Sequence, residues 1–154
     1  MLVDFNTTAE DSRIWIYGAE QRLTKDQESY ILQSLSDHLQ SWNAHKVPLM
    51  AGVTILENYF IVVALDESDN GASGCSVDAL QNKIQDLEKE LSVSLMNRLN
   101  VFCRINDEIE CVPSFKLDSI AKAKTLFYDL TIQKKSELNS YLKPISEGWC
   151  ANFL

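Results

Sequence analysis

The chain has 154 residues, of which 45% are hydrophobic and 23% are charged, and its 22 Asp and Glu against 14 Lys and Arg give a formal net charge of −8. This length and composition are typical of one globular domain that needs neither a disulfide nor a metal to be stable. The acidic balance argues against nucleic acid or anionic membranes as partners, because both require clustered Lys and Arg.

The first elements are a strand and a helix. The stretch "RIWIYG", residues 13–18, is rich in aromatic and β-branched residues and predicts a strand. Thr24 and Gln27 fit the capping-box pattern, so a helix is expected to begin there. Apolar residues follow at helical spacing, and Pro48 requires the helix to end before it.

The following elements are two strands, a second helix and a hairpin. The stretch 49–67 predicts two strands joined at Glu57 and Asn58, of which the second is apolar on both faces. A polar loop, "SDNGASG", precedes an amphipathic helix with an apolar stripe that ends at Leu91. The stretch 100–115 predicts a strand, a tight turn and a return strand.

The resulting order, β-α-β-β-α-β, predicts an α+β fold with a ferredoxin-like, or split β-α-β, core. We expect a single domain over 1–154, with the core at about 12–112 and a C-terminal extension at about 113–154. In such a sheet one face lacks helices, and Trp15 and Tyr17 are expected on that face. We therefore expect the extension to cover the sheet, with a homodimer as the alternative cover.

Six stretches carry a family resemblance: "SRIWIYGAEQRLT", "WNAHKVPL", "FIVVALDES", "ASGCSVD", "RINDEIE" and "GWCANFL". In these stretches, which span nearly the full chain, it resembles an uncharacterised bacterial family whose members are often labelled ABC transporter ATPases. The resemblance implies no activity. ATP hydrolysis is not expected, because no G-x-x-x-x-G-K-[ST] motif is present and none of the five glycines precedes a Lys.

Cys75 is the main candidate for chemistry, since it lies where the second helix begins. The positive end of the helix dipole and the free backbone N–H groups there favour a thiolate or a bound anion. Ser73 and Ser76 are candidate hydroxyl donors, and Gly74 allows a ligand to approach the backbone. His45 is the candidate base, because antiparallel pairing of the second and third strands places it at the same edge of the domain as Cys75.

Other readings of these residues remain open. Cys75 is also compatible with a small side chain that packs where the loop meets the helix. Asp66, at the end of the third strand, is a candidate ligand-binding residue or a solvated loop residue. The hairpin could bring Cys103 and Cys111 together, but the cysteines and histidines form no recognised zinc pattern, so neither a metal nor a cofactor is expected.

The sequence therefore predicts a small acidic binding or interaction domain that is not expected to be an enzyme. The alternative is a thiol-dependent enzyme or a small-anion site centred on Cys75. No apolar run approaches the roughly 18 residues of a membrane span, and the polar N-terminus predicts no signal peptide. These features favour a cytoplasmic location, where the cysteines are expected to be reduced.

Overall fold

The computed structural model describes residues 1–154, which form two compact units. Unit 1 comprises Met1–Met96 with Gln133–Ser136, and unit 2 comprises Asn97–Ile132 with Glu137–Leu154. No helix of the chain is both long enough and apolar enough to cross a membrane.

The chain contains two α-helices, nine strands and several short 3-10 helices. The helices are α1 (Lys25–Gln40) and α2 (Gly74–Leu91). The strands are β1 (Arg13–Gly18), β2 (Asn43–Ala44), β3 (Val47–Pro48), β4 (Met50–Leu56), β5 (Phe60–Asp66), β6 (Asn100–Ile105), β7 (Glu108–Pro113), β8 (Leu126–Tyr128) and β9 (Leu142–Pro144). The mixed α and β composition predicted from the sequence is confirmed.

The main sheet of unit 1 is antiparallel, in the order β1-β5-β4. This is the order that the first three strands of a split β-α-β core would take. The capping box at Thr24 and Gln27 is formed and begins α1 as predicted. Glu57 and Asn58 both have positive φ, the backbone conformation of a two-residue hairpin turn whose twist matches the right-handed twist of β4 and β5.

The complete ferredoxin-like sheet is not confirmed, because β6 does not pair with β1. It lies in a second sheet, in the order β7-β6-β8-β9. The tight turn at Asn106 and Asp107 pairs β6 with β7, and β8 occupies the other edge of β6. The outer edge of β1 is also taken, since the Ile14 N–H donates to the carbonyl of Gln133 at 2.9 Å.

Trp15 and Tyr17 face the helices, so the expectation that they lie on the opposite side was wrong. The Tyr17 hydroxyl donates to Gln81 of α2 at 3.0 Å. The Trp15 ring makes an edge contact with Trp42, with 5.8 Å between the ring centroids. Alternation along a strand separates the two sets of side chains, but it does not say which set faces the helices.

The other face of this sheet is buried as well, as expected. Val62 has no exposed surface, and the N-terminal segment crosses the sheet at Gly52. A Cβ on Gly52 would lie 2.7 Å from the backbone nitrogen of Phe5, so only glycine allows this approach. The ammonium of Lys135 donates to the carbonyls of Phe5 and Thr8, at 3.0 and 2.7 Å. The N-terminal segment therefore supplies part of the cover that was expected from the C-terminal extension.

Unit 2 has its own core on one face of its sheet. Phe127 of β8 and Cys103 of β6 are fully buried there with Ile145 and Cys150. A 3-10 helix over Ser114–Ser119 follows β7.

Candidate functional site

The start of α2 is fixed by reciprocal hydrogen bonds between Ser73 and Ser76. The Ser76 N–H donates to the Ser73 hydroxyl at 3.1 Å, and the Ser73 N–H donates to the Ser76 hydroxyl at 2.7 Å. The Ser76 hydroxyl in turn donates to the Ser73 carbonyl at 2.9 Å. The Ser73 hydroxyl donates to the Ser76 hydroxyl at 3.2 Å, so both hydroxyl protons are already used and an anion would have to displace one of these bonds.

Cys75 is the second residue of α2 and is exposed to solvent. The interpretation of Cys75 as a buried packing residue is therefore wrong. Gly74 is the first residue of the helix, and a Cβ placed on it would meet no atom within 4 Å. The backbone at the start of α2 is thus open to solvent, and its glycine is not required by a close contact.

His45 lies in the turn of a small hairpin beside the start of α2. Its φ of 51° belongs to a tight turn between β2 and β3. The Trp42 indole N–H donates to the carbonyl of Ser76 at 2.8 Å, and the Asn70 amide donates to the carbonyl of Val47 at 3.3 Å. These bonds place the hairpin next to α2, as the sequence predicted. No hydrogen bond joins His45 to Cys75, so their cooperation stays a prediction.

Asp66 belongs to a local turn. Its carboxylate accepts from the Ser68 N–H at 3.0 Å, and the side-chain and backbone hydrogen bonds of Ser68 lower the pKa of Asp66. The neighbouring Glu67 accepts from the Ala72 N–H at 3.3 Å and so braces the same loop. The contacts of both acids therefore support the loop that leads to Cys75.

The remaining cysteines lie in unit 2 and are not disulfide-bonded. Cys103 is opposite Glu110 and Cys111 is opposite Phe102, so the two cysteines point to opposite faces of their hairpin. Their thiols therefore do not face one another across the strands, as the hairpin spacing would have allowed, and no disulfide joins them. Burial, with smaller contributions from Cys150 and Glu110, raises the pKa of Cys103 to about 12. A neutral thiol is a poor nucleophile, and Cys103 is therefore expected to be inert.

His38 is a titratable group whose environment the sequence did not reveal. Its Nε2 atom is buried without a hydrogen-bond partner, and its ring is 6.2 Å from that of Trp42. Burial and the nearby Lys83 lower the pKa of His38. No three His, Cys, Asp or Glu side chains lie close enough together to hold a metal ion.

The exposed apolar side chains are concentrated in unit 2. This unit holds seven of the ten large hydrophobic residues that are exposed: Leu99, Phe115, Ile120, Leu126, Leu142, Phe153 and Leu154. Unit 2 has 6 Lys and Arg against 7 Asp and Glu, whereas unit 1 has 8 against 15. The charge of −8 is thus divided into −7 for unit 1 and −1 for unit 2.

Leu99 and Phe115 are the most exposed of these residues, at 60% and 73%. The Ser114 N–H donates to the carbonyl of Leu99 at 2.8 Å, which places the backbone of Leu99 next to the residue that precedes Phe115. The ammonium of Lys116 lies 5.7 Å from the centre of the Phe115 ring. We call Leu99, Phe115 and Lys116 the Phe115 surface. No pattern in the sequence indicated this surface, because an exposed Phe and a core Phe cannot be distinguished from the sequence alone.

Comparisons with known proteins give no relative: no protein-family model, no curated protein and no solved structure matches this chain.

Proposed function

We propose that this chain is a small acidic protein-binding domain without catalytic chemistry of its own, and that the Phe115 surface is its contact site. The observation that carries the proposal is the 73% exposure of Phe115 beside an exposed Leu99. Burying a Phe or Leu side chain contributes about 1.5–3 kcal/mol. In the folded chain the two side chains remain exposed to water, so a partner that buries them would gain this free energy.

The charge distribution supports the same surface. Charged residues are depleted in the centre of protein interfaces, and aromatic residues are enriched. Unit 2 has a net charge of −1, so its overall charge repels neither an acidic nor a basic partner strongly. Lys116 beside the aromatic ring favours a partner that presents an apolar side chain next to an acidic one.

The test begins with a photo-crosslinking residue at position 115 of the full chain. The same residue at position 47 is the matched control, because Val47 is also exposed, at 49%, but belongs to unit 1. The protein captured at position 115 and absent at position 47 is then purified. Its affinity is measured for the wild type and for the Phe115→Ser and Val47→Ser variants.

We expect Phe115→Ser to weaken this affinity at least about tenfold, as for a central interface residue. Val47→Ser is expected to leave it within about twofold, as for a residue outside the interface. Equal affinities for the wild type and Phe115→Ser would refute the proposed surface, whichever protein is captured.

A thiol-dependent reaction at Cys75, or a small-anion site there, is the second candidate function. It is favoured by the exposure of Cys75 at the start of an 18-residue helix and by the His45 hairpin beside it. Alkylation followed by mass spectrometry at a series of pH values tests it. A reaction at Cys75 that stays rapid at pH 6 would favour the enzyme. A rate that falls with pH like that of a free cysteine would oppose it.

The location and origin of the protein belong to the same proposal. A cytoplasmic location agrees with the free cysteines, and a bacterial origin is what the sequence resemblance implies.

The β-α-β-β-α order of unit 1 supports a ferredoxin-like ancestry in which the fourth strand is missing from the sheet. A homodimer is the remaining partner to test, and the oligomeric state in solution measures it.

A further inference from the structure

The outer edge of β4 is only partly covered. The N-terminal segment lies along the first part of this edge, where the Ala51 N–H donates to the carbonyl of Met1 and the Ala51 carbonyl accepts from the Val3 N–H, at 3.1 and 2.9 Å. Backbone groups point alternately to the two sides of a strand. The N–H and C=O groups of Val53 and Ile55 therefore point to the same outer side as those of Ala51.

These outer groups of Val53 and Ile55 have no hydrogen-bond partner in the chain. Their side chains are half-buried and pack on the core of unit 1. Helix α1 packs against the same strand. The edge thus presents two donors and two acceptors on a rigid strand that a helix supports.

The other sheet edges of the chain carry features that block an added strand. Glu108 and Glu110 place charges on β7, and β9 contains Lys143 followed by Pro144. The edge of β1 is taken by Gln133. Charged residues, proline and covering segments are the usual protections of edge strands. The stretch "VTIL" of β4 has none of them.

From this contrast we propose that the edge of β4 at Val53–Ile55 binds an extended peptide segment of another protein by strand addition. The main-chain groups of the peptide would pair with the four open groups, as in other strand-addition sites. The binding of the chain's own residues 1–3 to the same edge shows that the edge accepts a strand. The net charge of −7 on unit 1 favours a peptide with basic residues.

A second copy of the chain fits this edge less well. The antiparallel register that pairs all four open groups places Val53 opposite Ile55 of the copy. It also places Leu56 of the copy opposite Gly52. That position is taken by Val3, because Leu2 is opposite Ala51 in the parallel bridge. A short separate peptide avoids this clash. The site lies in unit 1 and is independent of the Phe115 surface.

Hydrogen exchange of the full chain gives the first test. We expect the amides of Val53 and Ile55 to exchange at least about tenfold faster than those of Gly52 and Thr54, which face β5. Equal protection of the four amides would overturn the proposal, because the edge would then not be open.

The second test is an NMR titration with the capped peptide acetyl-Lys-Val-Thr-Val-amide, whose C-terminal valine lies opposite Val53 in antiparallel pairing, so that no residue is placed opposite Gly52. We expect the amide signals of Val53 and Ile55 to shift, and a peptide with N-methylated valines to cause no shift. The Val53→Pro variant removes one outward N–H, a change that edge strands tolerate. We expect it to bind the peptide at least about tenfold more weakly than the wild type. The proposal would be overturned if the peptide caused no shift, if the shifts mapped to β7 or β9, or if the methylated peptide caused equal shifts. It would also be overturned if the same signals shifted when the chain alone was concentrated.

Discussion

Substitution of Gly148 by alanine should destabilise unit 2 through a single steric overlap. A Cβ at this position would overlap the Cζ and Cε1 atoms of Phe127 and lie 3.2 Å from Cε2. Phe127 is fully buried in the core of unit 2, so its ring cannot move away into solvent. Gly148 does not have a positive φ, and the backbone itself would accept alanine. The overlap is therefore the whole expected cause.

The magnitude follows from the cost of overfilling a packed core. An added methyl group that forces buried neighbours to shift typically costs about 1–3 kcal/mol. For a chain of about 150 residues, each kcal/mol lowers the melting temperature by roughly 2–4 °C. We expect Gly148→Ala to lower the melting temperature by about 2–12 °C.

The assay is thermal unfolding followed by circular dichroism, with Gly74→Ala as the matched control. A Cβ on Gly74 meets no atom within 4 Å, and the residue begins α2. Replacing a helical glycine without strain stabilises by about 0.4–1 kcal/mol, so Gly74→Ala should raise the melting temperature slightly. The same substitution should thus have opposite effects at the two glycines.

A double variant separates the overlap from other causes. Phe127→Leu shortens the side chain, so the alanine at position 148 should cost less in its presence than in the wild type. A melting temperature for Gly148→Ala within about 1 °C of the wild type would refute the reasoning, since about 2–12 °C is expected. The reasoning would also be refuted if Gly148→Ala lowered the melting temperature equally in the wild type and in the Phe127→Leu variant.

Three further changes test polar contacts. Burial alone would raise the pKa of Asp129, but the hydrogen bonds that its carboxylate accepts, including one from Lys143, lower this pKa overall. The ionised carboxylate therefore stabilises the fold above pH 3.8, and this stabilisation is lost as the pH falls through the lowered pKa. The unfolding free energy of Asp129→Asn should therefore be below that of the wild type at pH 7 and converge with it in acid. His38 has a lowered pKa, so the wild type should lose stability as the pH falls below 6.5, and His38→Gln should lose less. Lys135→Met, which removes two hydrogen bonds of an ammonium to carbonyls of the N-terminal segment, should lower the unfolding free energy in urea by about 1–3 kcal/mol.

Local signals in the sequence predicted the elements of unit 1 well. The capping residue Thr24 and the turn at Glu57 and Asn58 act through contacts within a few residues, so the sequence alone specifies them. The stripe of α2 reflects one helix face buried in one core. Each of these signals depends on the chain near the residue and not on the rest of the fold.

Long-range pairing could not be predicted in the same way. Whether β6 pairs with β1 or with β8 depends on which strand edges other segments already occupy. The edge of β1 is occupied by Gln133, which is distant from β1 in the sequence, and β6 pairs with β8. The pattern of "RIWIYG" also did not reveal which face meets the helices, and Trp15 was misplaced for that reason. The exposure of Phe115 is a property of the complete fold, so the candidate surface was visible only in the structure.

The affinity for the protein captured at position 115, measured for two variants side by side, tests the central claim most directly. A binding function through the Phe115 surface predicts that Phe115→Ser weakens the affinity at least about tenfold and that Cys75→Ser leaves it within about twofold. The opposite pattern, in which Cys75→Ser abolishes binding and Phe115→Ser has no effect, would contradict the account and direct attention to the thiol.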